Sequence, residues 1–168
     1  MVCRPTSDKL GTWLQSVCGE MLTGATGEPC IVDYEVGESD GAFDRSLTVD
    51  WHSLRKAFQH LVYGVAHQSD CRSLRVVATI SADDNIVIRV LDPKPKSVRG
   101  DAENLFSVFS DDSDMSATKY GSVGIAFALG LKFAKLIGGD ITIRTDDEGY
   151  REFLMTVPAS QGNMSAAA

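Results

Sequence analysis

The stretch from Lys119 to Asp140, KYGSVGIAFALGLKFAKLIGGD, places the strongest constraint on how this chain can fold. Gly121 and Gly124 precede an uninterrupted apolar pattern with helical spacing, and the pair Gly138-Gly139 closes it. The closing pair predicts a helix stop followed by a strand that begins at Asp140. A glycine-bearing loop that leads into a helix N-terminus can present backbone N–H groups to a phosphate. The alternative is a core helix flanked by ordinary loop glycines.

The composition predicts one globular domain. The chain has 168 residues, of which 43% are hydrophobic and 23% charged. Its formal charge of −7 and its pI of about 4.9 disfavour nonspecific binding to nucleic acid or to anionic lipid. No apolar run approaches the roughly 20 residues that a membrane-spanning helix needs. We therefore expect no nucleic-acid partner, no membrane contact by this segment and a cytoplasmic location.

The four cysteines, at positions 3, 18, 30 and 71, form no CxxC pair. Their spacing fits neither a zinc site nor a small disulfide scaffold. Reduced thiols in a cytoplasmic protein are the expected state.

The order of elements along the chain predicts the fold class. The pattern gives a helix, two strands, a helix, a hairpin, a long loop, a helix and a second hairpin. The bounds are a helix capped by Ser7 or Asp8 and running to Met21, strands 29–36 and 46–49, a helix 51–67 capped by Asp50, strands 74–81 and 85–91, a loop 94–118, and strands 141–144 and 151–157. This order predicts an α/β two-layer sandwich, with helices packed on one face of a mixed sheet. The domain is expected to span residues 7–158, between disordered ends at 1–6 and 159–168.

Four segments of the chain stand in the order of the sequence boxes of a known family: Asp50–His67, Ile88–Asp92, Leu105–Phe109 and Lys119–Ala126, followed by the closing segments Leu136–Ile141 and Phe153–Pro158. With these segments the chain resembles the catalytic, ATP-binding domain of sensor histidine kinases, in the superfamily that includes gyrase, Hsp90 and MutL. The first four segments resemble the N, G1, F and G2 boxes of that family. The similarity covers about residues 8–158 and implies the Bergerat-type sandwich of that superfamily.

The N-box segment departs from the family pattern at two positions. Gly64 stands where the family has the asparagine that helps to hold Mg²⁺ on the triphosphate, and glycine offers the metal no oxygen. His67 stands where the family has a lysine that contacts phosphate. These departures predict loss of metal placement and of neutralisation of the transferring phosphoryl group.

The glycine-rich boxes also depart from the pattern. Lys94 and Lys96 replace the two glycines that follow the G1 aspartate, so side chains crowd the backbone where the nucleotide would approach. In the G2 box, Ala126 replaces the third glycine, and Val123 stands at a threonine-like position. The resemblance nevertheless assigns Asp92 to adenine recognition, and Gly121 and Gly124 match the box.

The resemblance defines a candidate nucleotide site without a catalytic residue or a metal ligand. It implies ATP or ADP as the ligand. The departures from the family pattern predict that the nucleotide binds weakly, and they give no support to Mg²⁺. The candidate binding residues are Tyr63, Gly64, His67, Asp92, Lys94, Lys96, Thr118, Lys119, Gly121 and Gly124.

Three of the candidate residues, Asp92, Lys94 and Lys96, and one acidic run have simpler alternatives. Asp92 could end a strand and cap the following turn. Lys94 and Lys96 could replace the charge of the metal or could be two solvated loop lysines. The run Asp111–Asp114 lacks the glycine and the terminal glutamate of a calcium loop, so a solvated acidic lid is the preferred interpretation.

Three functional hypotheses follow. In the first, the domain is degenerate, transfers no phosphoryl group by itself, and acts in two-component signalling through protein contacts made by the loop 94–118 and its apolar island at 105–109. In the alternative, it is a working nucleotide-binding kinase domain that phosphorylates a histidine on a separate helical domain. The expected partner is a helical phosphotransfer domain or a response regulator. A phosphatase or anti-sigma relative of the same superfamily is a third hypothesis.

Overall fold

The computed structural model describes residues 2–24, 30–37, 45–69, 71–94 and 117–160. Within these ranges the chain forms seven strands and three helices. They are β1 (Thr6–Lys9), α1 (Leu10–Gly24), β2 (Ile31–Val36), β3 (Ser46–Val49), α2 (Trp51–Ser69), β4 (Ser73–Ile80), β5 (Asn85–Leu91), α3 (Ala117–Leu136), β6 (Asp140–Thr145) and β7 (Arg151–Pro158).

The main sheet has five strands in the order β2-β4-β5-β7-β6. The β2–β4 pair is parallel and the other three pairs are antiparallel, so the sheet is mixed, as predicted. One register row runs through Ala78, Ile88, Met155 and Ile141. All four of these residues are buried, so this row belongs to the face that packs in the core.

The helices cover that face of the sheet. Alternate residues of the central strands, such as Val76 in β4 and Ile88 in β5, are fully buried in one cluster with the apolar faces of the three helices. The intervening residues are exposed, as at Arg75 and Arg89, or half-buried, as at Val77 and Val87. This alternation is that of a sheet packed on one side only, and it confirms the predicted two-layer sandwich.

The predicted cap of α2 is confirmed. The Asp50 carboxylate is buried and accepts hydrogen bonds from the Ser53 amide at 3.0 Å and from the Ser53 hydroxyl at 2.9 Å. The backbone amide of Arg4 donates to the same carboxylate at 3.0 Å. This carboxylate therefore caps α2 and also anchors the N-terminal segment.

The predicted stop of the last helix is confirmed as a Schellman motif. The Gly138 amide donates to the Lys135 carbonyl at 3.0 Å, and the Gly139 amide donates to the Ala134 carbonyl at 2.8 Å. Gly138 has a φ of 77°, which glycine adopts without a Cβ penalty. The chain then turns directly into β6.

The predicted helix cap at Ser7 or Asp8 is wrong. Both residues lie in β1, which pairs antiparallel with β3, and α1 begins at Leu10. The Ser7 hydroxyl bonds the Ser46 hydroxyl at 2.5 Å, and Trp51 Nε1 donates to the Thr6 carbonyl at 2.9 Å. These contacts are with residues far along the chain, so the local sequence could not reveal them.

The predicted loop before the last helix is also wrong at its end. Because α3 begins at Ala117, Gly121 and Gly124 lie inside the helix and not in a loop that leads into it. Glycine weakens a helix by about 1 kcal/mol relative to alanine but does not forbid it. The rest of the segment contains no proline, so the helix continues through both glycines.

Among the described residues, no helix combines the length and the apolarity that crossing a bilayer requires.

Candidate functional site

Helices α2 and α3 pack closely because two glycines lie between them. A Cβ at Gly130 in α3 would lie 3.3 Å from the Ala57 carbonyl oxygen and 3.5 Å from the Leu61 amide nitrogen of α2. The backbones of the two helices therefore approach each other where a larger side chain would have to separate them.

The second close approach is at Gly64, which the resemblance predicts to stand at the position of the family's metal-holding asparagine. A Cβ at Gly64 would lie 2.9 to 3.1 Å from three ring carbons of Phe127 in α3. Phe127 is fully buried, and its ring stacks on Phe153 of β7 with centroids 5.4 Å apart and planes 4° apart. The Phe127 ring therefore lies too close to Gly64 for the Cβ of an asparagine to fit unless the ring or a helix shifts.

Asp92 lies at the end of β5 and is 2% exposed. Its Oδ2 accepts a hydrogen bond from the Ser69 hydroxyl at 2.5 Å, and its Oδ1 accepts one from the Lys94 amide at 3.0 Å. Its own amide donates to the Arg151 carbonyl at 3.0 Å. These contacts show that Asp92 ends β5, caps the following turn and joins the ends of α2 and β5. Adenine contact by Asp92 stays a prediction.

Tyr63 and His67 form a pair on the polar side of α2, one turn apart. Their ring centroids are 4.1 Å apart with planes at 71°, an edge-to-face contact. His67 is exposed and Tyr63 is half-buried. Ser69, which holds Asp92, follows two residues later, so the end of α2 carries three candidate residues and contacts a fourth.

The other candidate residues divide into two groups. Thr118, Lys119, Gly121 and Gly124 lie in the N-terminal part of α3. Lys96, the apolar island at 105–109 and the acidic run at 111–114 lie outside the described residues. No group of three or more His, Cys, Asp or Glu side chains that could hold a metal ion occurs in the described part of the chain.

Sequence reasoning missed two residues of this site, Phe127 and Ser69. Phe127 belongs to the apolar pattern of α3, which predicts a core position but not its contact with Gly64. Ser69 lies beyond His67, the predicted end of α2, in a segment that the sequence predicts as a turn. In the structure it is the last residue of α2. In both cases the missing information is which distant residue the side chain meets.

Burial changes the acidity of two groups in the helical layer. It lowers the pKa of His60 below 6.5, and the neighbouring Lys56 charge lowers it further. The His60 ring also stacks on Phe133 of α3, with centroids 6.0 Å apart. Burial raises the pKa of Cys18 to about 12, which makes this thiol a poor nucleophile.

The lowered pKa of His60 predicts a loss of stability in mild acid. The unfolded chain binds the His60 proton more readily than the folded chain, so the free energy of unfolding falls as the pH drops below about 6.5. Its slope stays below the ~1.4 kcal/mol per pH unit of one whole proton. Urea unfolding between pH 5 and pH 8 measures this slope. His60→Gln should reduce the slope, whereas His52→Gln, at an exposed position of the same helix, should leave it unchanged.

Comparisons with known proteins agree with the fold described above. Residues 49–161 match the family described as histidine kinase-, DNA gyrase B-, and HSP90-like ATPase. The nucleotide-free catalytic domain of the histidine kinase ThkA is similar with a TM-score of 0.63 at 14% identity, over 94% of this chain and 97% of that one. The ATP-binding domain of PrrB from Mycobacterium tuberculosis gives 0.62 at 14% identity, over 94% and 98%. A comparison with curated protein sequences gives no significant match.

A further similar structure is full-length ShkA in complex with AMPPNP, with a TM-score of 0.72 at 14% identity. The similarity covers 96% of this chain but 32% of ShkA, so the chain spans about a third of that protein. At these identities the structures show a shared fold. The family match covers more than half of the chain, and the chain therefore belongs to the histidine kinase-, gyrase B- and HSP90-like ATPase family.

Proposed function

We propose that this chain is a histidine-kinase-like ATP-binding domain of a two-component signalling protein that has lost metal-dependent phosphoryl transfer and acts through protein contacts. The observation that carries the proposal is Gly64, which offers no oxygen at the metal-holding position and has the buried Phe127 ring against it.

Mg²⁺ takes hard oxygen ligands and shares its shell with the substrate phosphates. In phosphoryl transfer the metal neutralises the charge that develops on the transferring group, and little else in the site can do so. The described residues do not fit this metal, because the one matching position carries glycine. ATP or ADP would then bind weakly, without help from a metal.

The protein-contact part of the proposal rests on the surface near the start of α3. Ile125 is 50% exposed, whereas the other apolar side chains described in α3 are buried or half-buried. The predicted apolar island at 105–109 precedes this helix along the chain. A helical phosphotransfer domain or a response regulator is the proposed partner, and a cytoplasmic location is part of the same proposal.

Calorimetric titration of the chain with ATP and with ADP, in Mg²⁺ and in EDTA, tests this function. We expect either no heat or weak binding whose affinity changes less than about 2-fold on adding Mg²⁺. Circular dichroism on the same sample shows whether the chain is folded. Micromolar ATP binding that needs Mg²⁺, with an affinity at least 10-fold weaker in EDTA, would contradict the proposal.

One observation favours the alternative, a working nucleotide-binding kinase domain. Asp92 is buried at the end of β5 and is held by the Ser69 hydroxyl and the Lys94 amide, so its carboxylate is fixed in orientation. A fixed carboxylate at this position suits recognition of an adenine amino group. This alternative requires Asp92→Asn to weaken nucleotide binding, and an unchanged affinity in that variant would remove its support.

A further inference from the structure

We infer that Phe127 closes the metal side of this site and that Gly64 and Phe127 form a coupled pair, in which neither residue can be changed towards a metal-binding arrangement without the other. The inference deepens the proposed function, on which its nucleotide-binding arm rests. Its packing arm stands on the geometry of α2, α3 and β7 alone.

The Phe127 ring has little free space around it. Three ring carbons lie 2.9 to 3.1 Å from a Cβ built on Gly64; real Cβ atoms almost never show the shortest of these contacts, and the other two are tighter than nine in ten. The ring also stacks on Phe153, which is itself fully buried. The ring cannot retreat from α2 without disturbing β7, because protein interiors are close-packed.

The second step is the cost of placing asparagine at position 64. The new Cβ would overlap the ring, and overpacking a close-packed core is destabilising. The carboxamide would also enter a buried, aromatic environment, where an amide without a hydrogen-bond partner is costly. Gly64→Asn alone is therefore expected to weaken the fold without producing a usable metal ligand.

The third step is the helix contact that carries Phe127. Gly130 lies one turn further along α3, and its missing side chain lets α3 approach the backbone of α2 at Ala57 and Leu61. Phe127 and Gly130 are three residues apart and so share one face of the helix. The close approach at Gly130 holds the ring against Gly64. The closure of the metal side is thus a property of the packed helical layer.

A double-mutant cycle tests the packing arm. The melting temperature is measured for the wild type, Gly64→Asn, Phe127→Leu and the double variant. Gly64→Asn should lower it by roughly 4 °C or more. The double variant should melt above the temperature expected from adding the two single effects, since leucine removes ring atoms that the asparagine would meet. Gly19→Asn is the matched control, because a Cβ there meets nothing within 4 Å, and it should melt within about 2 °C of wild type.

Additive single effects on the melting temperature, or a Gly64→Asn variant that melts like the wild type, would overturn the inference.

The nucleotide-binding arm uses ATP titrations of the same four proteins in Mg²⁺ and in EDTA. A Mg²⁺-dependent gain in affinity of about 10-fold is expected in the double variant only. Its appearance in Gly64→Asn alone would also overturn the inference. Coupled melting temperatures without a gain in the double variant would leave the packing pair standing and would count against the proposed role of position 64.

Discussion

Gly139→Ala should lower the free energy of unfolding by roughly 3 kcal/mol or more, although it adds only one methyl group. A Cβ at Gly139 would overlap the Thr156 carbonyl oxygen and would lie 2.8 Å from Val157 Cγ2. It would also lie 3.2 Å from the Ala134 carbonyl oxygen, which accepts the Gly139 amide hydrogen bond. Backbone atoms cannot move aside as a flexible side chain can, so the turn from α3 into β6 must shift.

Urea unfolding followed by circular dichroism measures this loss. Gly19→Ala is the matched control, because Gly19 lies inside α1 and a Cβ there meets nothing within 4 Å. That control should leave stability unchanged or raise it by up to about 1 kcal/mol, the helix preference of alanine over glycine. Equal free energies of unfolding for the two variants would show that the close contact at Gly139 is absent.

Asp50→Asn should lower the free energy of unfolding at pH 7 by about 2–3 kcal/mol, although the two side chains have nearly the same shape. The carboxylate accepts hydrogen bonds from the Ser53 amide, the Ser53 hydroxyl and the Arg4 amide. An asparagine NH₂ group would face at least one of these donors with a donor of its own. The change also removes a negative charge from the N-terminus of α2, where the helix dipole favours it.

The effect of Asp50 should also depend on pH. Burial on its own raises the pKa of Asp50, but the hydrogen bonds from Ser53, Arg4 and Cys3 outweigh it and hold the pKa below 3.8. A lowered pKa contributes stability that is present above 3.8 and is lost as the pH falls through the folded-state value. The stability difference between wild type and Asp50→Asn should therefore shrink in strong acid. Asp83→Asn, at an exposed turn position, should behave like the wild type throughout.

The sequence predicted most of the layered fold because its signals are local. Asp50 followed by apolar residues at helical spacing defined α2, and β4 and β5 are rich in β-branched residues on either side of a short turn. Gly138-Gly139 defined the end of α3. The strand β1 could not be predicted in this way, because its only structural signal is its pairing with β3, some forty residues later.

The candidate site was predictable only in part. The order of the family segments assigns roles to Gly64 and Asp92, and those roles stay predictions. The contact partners of these two residues, Phe127 and Ser69, come from other elements, and a linear pattern does not specify which side chains meet across two helices or between a helix and a strand. The glycines at 121 and 124 were misjudged because glycine permits a loop without requiring one.

Water-proton relaxation of Mn²⁺·ATP tests the central claim, loss of the metal side, most directly. Mn²⁺ substitutes for Mg²⁺ at oxygen sites, and immobilising the ion on a protein enhances the relaxation of its bound water. The account predicts that adding the folded chain leaves the relaxation rate of Mn²⁺·ATP unchanged, because Gly64 offers no ligand and the Phe127 ring lies against it. A saturable enhancement at micromolar protein, removed by Asp92→Asn, would contradict it and would identify a working metal–nucleotide site.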